Sequence, residues 1–434
     1  MKSLNGGALV RSGRFAKAGM SAGGNYLRHY LGNSLPIKNL HQDKRTLNRK
    51  NAVSIFKELS KLKGLPLKLA QGMSMDTGLL PTEFMEVMTS AQYSVPPMNR
   101  ALVRTQFKRN FNEYPENIFQ SFDYNAFAAA TIGQVHHARN SKGVRLVVKV
   151  QYPNVRKSIQ SDLKLLSFLG KQFFKGVNIE NYLEEAQETF LEETDYLKEG
   201  RNIKKFRDIF FSKEIIFPEY KESTSNEQVL TMTFLEGDHL DQMLKKGPDQ
   251  KTRDNYGQIM WNFFHENINS ANNTFHADVH PGNFLFCKGG KVGVIDFGCI
   301  KNFPDQFIKS CIRLVQKHLN GSHQEFLNEL EYMGFIKNGP NQSAKDKKIE
   351  KLFRKLAKIL GSIYEKSVFD FGNQQFREDL NNLFQNGMEI REVRGSEQFI
   401  FFNRITFGLI SILMKLEAKV ETSDAREIIL NADC

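Results

Sequence analysis

Strand-like runs of hydrophobic residues are predicted before Asp305, whereas the hydrophobic spacing after this residue is helical. Before it, short runs rich in Val, Ile and Phe are bounded by Gly, Pro or Asn, which is the pattern of buried β-strands. The predicted strands lie at residues 145–152, 215–217, 229–234, 284–286 and 292–295. After Asp305, apolar residues recur every three or four positions, so nearly all of this part is predicted to be helical.

Helical spacing also occurs before the first strand and between strands. These predicted helices lie at residues 52–62, 83–91, 100–111, about 156–175 and 179–211. A further apolar stretch at 399–416 contains Arg404 and Lys415 with ten uncharged residues between them, too few to cross a bilayer, and is predicted to be a buried core helix. A small sheet followed by a helical second half predicts an α+β, two-lobed fold rather than alternating βαβ units.

Length and cysteine content narrow the class of protein. The 434 residues allow two or three domains, or one large domain with two lobes. The four cysteines form no C-x-x-C pair and are too few to crosslink a chain of this length. Neither a disulfide framework nor a zinc cage is therefore indicated, and a reducing compartment is expected.

The positive charge is concentrated at the start of the chain. The net charge is +12, and residues 1–63 carry 13 Lys or Arg against two acids. A basic arm on a nearly neutral body favours peripheral contact with an anionic membrane over nucleic acid. No acid precedes Asp43, so residues 1–42 also have the composition of a transit peptide. The expected location is cytoplasmic at a membrane surface, or mitochondrial if these residues are a transit peptide.

The segment with the most specific chemistry is F-H-A-D-V-H-P-G-N-F-L-F, followed by V-G-V-I-D-F-G. It places Asp278 and Asn283 on one loop and Asp296 at the end of the next strand. Mg²⁺ prefers one or two carboxylates plus substrate phosphates, so Asn283 and Asp296 are predicted metal ligands and Asp278 is predicted to face a hydroxyl or water. His276 and His280 suggest zinc, but the Pro-Gly after them breaks the required helix, and a structural role is favoured.

Lys149 lies in the middle of a predicted strand, in V-V-K-V. Alone, such a lysine most often lies on the solvated face of an edge strand. In a kinase it contacts the α- and β-phosphates and needs a carboxylate from the following helices, which Glu199 can supply. Asp195 is four residues earlier and so on the same helical face.

An alanine run, A-A-A-T-I-G-Q-V-H, precedes this strand where a nucleotide-binding hairpin would need a loop over the phosphates. The run lacks the glycines of G-x-G-x-x-G, which allow close approach of the backbone to phosphates. By itself an alanine run indicates helix packing.

Together these motifs resemble the UbiB/AarF atypical kinase-like family, which is associated with ubiquinone and related isoprenoid-lipid biosynthesis. The resemblance covers about residues 13–420. The residues that carry it, besides the H-A-D-V-H-P-G-N loop and D-F-G, are Lys68, Gln71, Ala128, Ala129, Ala130, Thr131, Lys149, Glu193, Asp195 and Glu199. Two positions depart from the family pattern: Ala70 replaces a glycine, and Thr131 replaces a serine.

The resemblance implies a kinase-like fold with an accessory N-terminal region. The predicted segments are a basic arm at 1–50, a helical extension at 51–115, an N-lobe with a small antiparallel sheet at 116–236, and a helical C-lobe at 237–434. The hinge is predicted at residues 234–237, with Glu236 contacting the nucleotide. Lys68 and Gln71 are implied to lie over the active site, where the lysine pairs with Glu193 and Asp195.

The implied activity is Mg-ATP hydrolysis coupled to isoprenoid-quinone or related lipid biosynthesis, rather than phosphorylation of proteins. Lys149, Glu199 and Asp278 are the implied catalytic residues, and the loop of Ala128 to Thr131 is implied to cover the phosphates. Implied partners are ATP, an anionic membrane, an isoprenoid or quinone-precursor lipid and proteins of quinone biosynthesis. Two alternatives stay open: a small-molecule kinase of the aminoglycoside or choline type, and a non-catalytic nucleotide-sensing scaffold at a membrane.

Overall fold

The structure is a computed structural model that describes residues 97–130, 132–157, 190–210, 212–269, 273–337, 342–385 and 397–431, and isolated positions elsewhere. The basic arm, apart from residues 49 and 50, lies outside the described residues, as do the predicted helix at 83–91 and most of those at 52–62 and 156–175. The same holds for four residues of the family resemblance, Lys68, Ala70, Gln71 and Thr131.

Short strands and longer helices make up the described part of the chain. The strands are β1 (Ser121–Phe122), β2 (Ala128–Ala129), β3 (Gly133–Arg139), β4 (Arg145–Gln151), β5 (Ile215–Ile216), β6 (Val229–Thr233), β7 (Thr274–His276), β8 (Phe284–Cys287), β9 (Lys291–Val294), β10 (Ile300–Asn302), β11 (Val368–Asp370) and β12 (Lys419–Glu421). The helices are α1 (Arg100–Phe111), α2 (Pro115–Ile118), α3 (Tyr196–Ile209), α4 (Leu240–Lys245), α5 (Gln250–Asn269), α6 (Asp305–Asn320), α7 (His323–Tyr332), α8 (Ala344–Gly361), α9 (Gln374–Gln385), α10 (Glu397–Leu416) and α11 (Ser423–Asn431).

The chain forms two compact units that are not contiguous in sequence. The first comprises residues up to Arg201 together with Glu219–Phe234, and the second comprises Asn202–Pro218 together with Leu235 to the C-terminus. The chain therefore passes from one unit to the other three times.

The first unit is built on an antiparallel sheet in the order β1-β3-β4-β6, with β2 also paired to β3. The predicted small antiparallel sheet is thus confirmed. Strand β4 is central, and its residues Val148 and Val150 are fully buried. Gly133 lies opposite Gln151, and a Cβ at this glycine would be 2.3 Å from the carbonyl oxygen of Val150, so β3 approaches β4 more closely than a larger residue would allow.

Local capping determines where the helices of the first unit begin. The Asn99 side chain accepts a hydrogen bond from the Leu102 N–H and starts α1, at the predicted residue. The predicted continuous helix at 179–211 is wrong at residues 194–195, which are not helical. The physical reason is that the Asp195 carboxylate accepts a hydrogen bond from the Lys198 N–H and caps a new helix, α3.

The second unit combines three small sheets, of order β10-β7, β5-β9-β8 and β11-β12, with helices α4 to α11. A cluster of aromatic rings with centroids 5.0 to 6.4 Å apart forms much of its core. The rings are those of Phe206, Phe210, Phe217, Phe263 and Phe297. A second apolar cluster joins α7 and α8 through Phe326, Leu330, Ile349 and Phe353. The aromatic cluster includes Phe297 of D-F-G and so supports the candidate site.

The predicted strands are confirmed, each to within one residue at either end. The predicted core helix at 399–416 is confirmed as α10, in which Ile405, Leu409 and Leu413 are buried. The described chain after Asp305 is nearly all helical, as predicted; the exception is the antiparallel pair β11–β12, whose strands of three residues are too short to produce a recognisable alternation. Among the described residues, no helix is both long enough and apolar enough to cross a membrane.

Candidate active site

In the first unit, Lys149 and Glu199 form a buried ion pair. The Lys149 Nζ lies 2.5 Å from Glu199 Oε1, and the two side chains expose 8% and 4% of their surface. The alternative of a solvated lysine on an edge strand is wrong, because Lys149 pairs with Val135 on one side and Leu230 on the other and so lies in a central strand. The carboxylate that a phosphate-binding lysine requires is therefore in place.

The acids near Glu199 occupy different environments. Glu199 is in the first turn of α3 and its N–H donates to the Asp195 carbonyl oxygen. Asp195 is partly exposed, and its carboxylate also lies 3.9 Å from the Arg201 guanidinium. Glu193 is partly exposed as well. The structure thus brings Glu199, but not Asp195, to Lys149; the implied pairing of Glu193 and Asp195 with Lys68 involves a residue outside the described part and stays a prediction.

The alanine run forms a strand and a tight turn, so the interpretation as helix packing is wrong. Ala128 and Ala129 make up β2, which is paired with β3 and is exposed. The Ala130 N–H donates to the Gly133 carbonyl oxygen at 3.0 Å, closing the turn between the two strands. This hairpin lies immediately before β4, which carries Lys149.

In the second unit, two strand pairings place the loop of Asp278 beside the D-F-G turn. The β8–β9 pairing sets Phe284 opposite Val294, so Asn283 and Asp296 lie at the same end of this sheet. The β7–β10 pairing sets His276 opposite Ile300. The strand that leads into the Asp278 loop is therefore paired with the strand that follows the D-F-G turn. Three candidate site residues, Asp278, Asn283 and Asp296, are thus held at one place although they span about 20 positions of the sequence.

Hydrogen bonds fix the orientation of these side chains. Asn283 Nδ2 donates to Asp278 twice, at 2.9 Å to the carbonyl oxygen and at 2.9 Å to Oδ2. The Asp296 carboxylate accepts the Gly298 N–H at 3.0 Å. The Ile295 N–H donates to the Asn283 carbonyl oxygen, which ties the two loops together.

The two histidines of the loop have the predicted structural roles. His276 Nε2 donates to the Asp296 carbonyl oxygen at 2.6 Å, and burial lowers the pKa of this imidazole below its usual value, so the ring is neutral at pH 7. His280 Nδ1 accepts the Gly282 N–H. Nowhere in the described part do three or more His, Cys, Asp or Glu side chains gather as metal ligands.

The residues that would hold a nucleotide-bound Mg²⁺ have suitable chemistry. Because the Asn283 amide nitrogen is engaged by Asp278, its oxygen faces the other way and is the atom suited to a hard cation. Asp296 supplies a carboxylate at the same end of the β8–β9 pair as Asn283. A set of one amide oxygen and one carboxylate fits Mg²⁺ that takes its remaining ligands from phosphates and water.

Sequence reasoning missed Arg404 as a site residue. Its guanidinium Nη2 lies 2.6 Å from Asp278 Oδ1, although the two residues are 126 positions apart. The available signal was a single arginine among the apolar residues of α10, since a charge on a buried helix needs a partner. Glu236, the predicted nucleotide contact, is exposed.

Comparisons with known proteins agree with these motifs. The ABC1 atypical kinase-like domain matches residues 90–330. Among similar proteins, "Probable serine/threonine-protein kinase abkA" of Dictyostelium discoideum is 25% identical over 393 residues, covering 86% of this chain and 69% of that protein. "Atypical kinase coq-8, mitochondrial" of Caenorhabditis elegans is 26% identical, covering 86% and 50%. "Atypical kinase COQ8, mitochondrial" of Saccharomyces cerevisiae is 28% identical, covering 76% and 66%.

The chain thus spans between half and about two thirds of the length of these relatives. A solved structure, the complex of Rv3197 with erythromycin from Mycobacterium tuberculosis, is similar with a TM-score of 0.62 and 23% identity, covering 89% of this chain and 96% of that one. At this identity the likeness shows a shared fold. Since the matched domain covers more than half of the chain and contains both the buried lysine and the D-F-G turn, the chain belongs to the UbiB/AarF family of ABC1 atypical kinase-like proteins.

Proposed function

We propose that this protein is a Mg-ATP-dependent atypical kinase or ATPase that supports isoprenoid-quinone or related lipid biosynthesis. The observation that carries the proposal is the buried Lys149–Glu199 pair. Removing two charges from water costs several kcal/mol per ion, and hydrophobic residues of similar volume would often be at least as stable. Stability alone therefore does not explain this buried pair, which lies close to the β2–β3 turn. A functional role for the lysine charge does, and family membership supports contact with phosphates as that role.

Each site residue has a proposed role. Lys149 contacts the α- and β-phosphates while Glu199 holds its ammonium in place, and Asn283 and Asp296 bind Mg²⁺, which neutralises phosphate charge when bound. Asp278 faces the hydroxyl or water that attacks. The turn after Ala128, Ala129 and Ala130, including Thr131, covers the phosphates, and Glu236 contacts the nucleotide.

We propose ATP hydrolysis tied to lipid chemistry, rather than protein phosphorylation, as the main activity. The alanine run at residues 128–130 lacks the paired glycines with which G-x-G-x-x-G begins, and this difference supports a nucleotide site unlike that of protein kinases. The proposed lipid partner is an isoprenoid or a quinone precursor at an anionic membrane, together with proteins of quinone biosynthesis. A mitochondrial location is proposed because two relatives carry that location in their names.

The experiment that tests the function is Mg-ATP turnover by the purified chain, with and without anionic liposomes and a phenol that mimics a quinone precursor. The key variant is Asp296→Asn, which keeps size but removes the charge that would bind the metal. Asp241→Asn makes the same change at an exposed carboxylate of the second unit and serves as the control. We expect turnover in the wild type and the control, stimulation by liposomes, and loss in Asp296→Asn by at least about 100-fold.

Two results would count against the proposal. Turnover that Asp296→Asn leaves intact would show that the metal site lies elsewhere. Magnesium-dependent nucleotide binding without turnover, even with liposomes and the phenol present, would instead favour the nucleotide-sensing scaffold.

A further inference from the structure

Helix α10 reaches the loop of Asp278 with a charged side chain. The helix is largely apolar and buried, and Arg404 is the charged residue near its centre. The Arg404–Asp278 ion pair measures 2.6 Å, with 25% and 18% of the side-chain surfaces exposed. The guanidinium binds Oδ1 of the carboxylate, while Asn283 binds Oδ2 at 2.9 Å. Both oxygens of Asp278 therefore have a fixed donor, and the carboxylate cannot rotate without breaking a charged hydrogen bond.

A second contact on the same face of α10 holds the backbone of this loop. Gly408 is one turn after Arg404, and the two residues therefore lie one above the other. A Cβ at Gly408 would be 2.2 Å from the carbonyl oxygen of Val279 and 3.0 Å from its Cβ. The helix backbone thus packs directly on the residue that follows Asp278, at a distance that only glycine allows.

The helix is itself held firmly in the second unit. Ile405 and Leu409 are buried beside the two contact residues. Phe402, two residues before Arg404, packs its ring 6.0 Å from that of Phe275 in β7, the strand that leads into the loop. Helix α10 therefore touches the strand before Asp278, the side chain of Asp278 and the backbone after it.

We propose that α10 is the positioning element for the catalytic loop, residues 277–283: Arg404 sets the orientation of the Asp278 carboxylate, and Gly408 sets the height of the loop backbone. The consequence for catalysis rests on the proposed function. Both residues lie beyond residues 90–330, so the domain that defines the family is supported from a part of the chain outside it.

The alternative is that Arg404 forms an ion pair that stabilises the fold and has no effect on the loop. Arg313 provides the matched case, since it forms a similarly buried pair with Glu329 at 3.0 Å in the same unit. Replacement of Arg313 by methionine removes an equivalent guanidinium at a distance from the loop. Effects shared by Arg313→Met and Arg404→Met are therefore structural, and effects confined to Arg404→Met report on the loop.

Amide hydrogen exchange tests the proposal without relying on turnover. The informative amides are those of Ala277, His280 and Asn283, which donate to Cys299, Asp278 and His280. We expect exchange in the 277–283 loop to rise by about tenfold in Arg404→Met and in Gly408→Ala, and to stay at the wild-type rate in Arg313→Met. Unchanged loop exchange in both α10 variants would overturn the proposal. Arg404→Lys, which keeps a positive charge, is the milder variant if Arg404→Met unfolds, and its expected rise is smaller.

Kinetics then tests the consequence. We expect Arg404→Met to lower kcat for ATP hydrolysis by roughly 100-fold, the scale of a misplaced catalytic group, while the Kd for Mg-ATP stays within twofold. Arg404→Lys should recover part of this loss, and Arg313→Met should leave kcat unchanged. If the wild type shows no turnover, the proposed function fails while hydrogen exchange still decides on the positioning role. A kcat within twofold of an active wild type in Arg404→Met would contradict the catalytic consequence.

Discussion

Each of the two units holds one ion pair formed by candidate functional residues, and the pairs differ in how exposed they are to water. Lys149 and Glu199 in the first unit are almost fully covered, whereas Asp278 and Arg404 in the second keep about a fifth of their surface exposed. The first pair joins a central strand to the first turn of α3, and both of its residues belong to the first unit. The second joins a loop to a helix near the C-terminus.

This difference separates two uses of charge. When one partner of a buried pair is removed, the other is left as an uncompensated charge in a medium of low dielectric constant, and the fold is strongly destabilised. When one partner of a half-open pair is removed, water partly solvates the other, so the cost is smaller than for a fully buried pair. The first pair is therefore expected to govern stability and binding together, and the second to govern mainly the geometry of catalysis.

The largest effect is expected when the buried pair is broken. Lys149→Met should lower the free energy of unfolding by about 3 to 5 kcal/mol, because Glu199 stays buried without its ammonium. Urea unfolding of the full chain measures this change. The same variant should lose nucleotide binding, which fluorescence titration with an ATP analogue would detect.

A double variant separates charge burial from loss of packing. Lys149→Met combined with Glu199→Leu should regain most of the lost stability and none of the binding, since no charge is left without a partner. If the single variant costs no more than Arg404→Met does, the contrast between the two pairs is wrong.

The next largest effect is expected from His265, a titratable residue that is buried in its uncharged form. His265 in α5 donates from Nδ1 to the Trp261 carbonyl oxygen and lies 3.0 Å from the Tyr364 hydroxyl, and burial lowers its pKa from 6.5 to about 4. The unfolded chain therefore binds a proton first as the pH falls below 6.5. The free energy of unfolding should drop by roughly 3 kcal/mol between pH 6.5 and pH 4 from this residue alone.

Urea unfolding at several pH values checks this dependence. His265→Gln should flatten the slope between pH 6.5 and pH 4, while His137→Gln, at an exposed histidine of the first unit, should leave it as in the wild type. Equal slopes in His265→Gln and the wild type would mean that carboxylates dominate this pH range.

The half-open pair should matter less for stability. Arg404→Met is expected to lower the free energy of unfolding by about 2 kcal/mol, since the carboxylate left behind keeps its bond from Asn283 and partial contact with water. Thermal unfolding beside Lys149→Met makes the comparison direct. A loss as large as that of Lys149→Met would show that partial exposure gives this pair no relief.

The smallest effect concerns the start of α3. Asp195→Ala should cost about 1 kcal/mol because the cap on the Lys198 N–H is lost. Asp195→Asn keeps a capping oxygen and should be nearly neutral in stability. Any change of activity in Asp195→Asn would then report the loss of the negative charge, which the family resemblance pairs with Lys68.

The predictable parts of the fold are those with strong local signals. Strand β4 combines β-branched residues with a clear boundary, and helix α1 has an Asn at its start, so both could be placed from the sequence. Strand β3 was missed because its residues G-Q-V-H-H-A-R carry little hydrophobic alternation. It is buried by tertiary contacts instead: Gln134 and His136 bond to each other inside the sheet at 2.8 Å.

The predictable part of the site shows the same limit. Glu199 could be proposed as the partner of Lys149 because a kinase-like site demands a carboxylate on a following helix. Arg404 could not, since no spacing rule connects residues so far apart in sequence and its role became visible only when α10 was seen against the loop. At Asp195 the apolar spacing predicted one continuous helix, but the Asp195 carboxylate accepts the Lys198 N–H and so interrupts the helix.

Each unit is made of two separate segments of the sequence, and this has a consequence for folding during synthesis. Strand β5 lies in a segment of the second unit flanked on both sides by the first, and it pairs in parallel with β9, about 75 residues later. Neither unit is therefore a continuous stretch that can finish folding as it leaves the ribosome, and the edge of β5 waits unpaired until β9 has been made. A fragment starting at Leu235 would lack this strand altogether, so shortened chains meant to isolate the second unit should aggregate unless residues 202–218 are supplied.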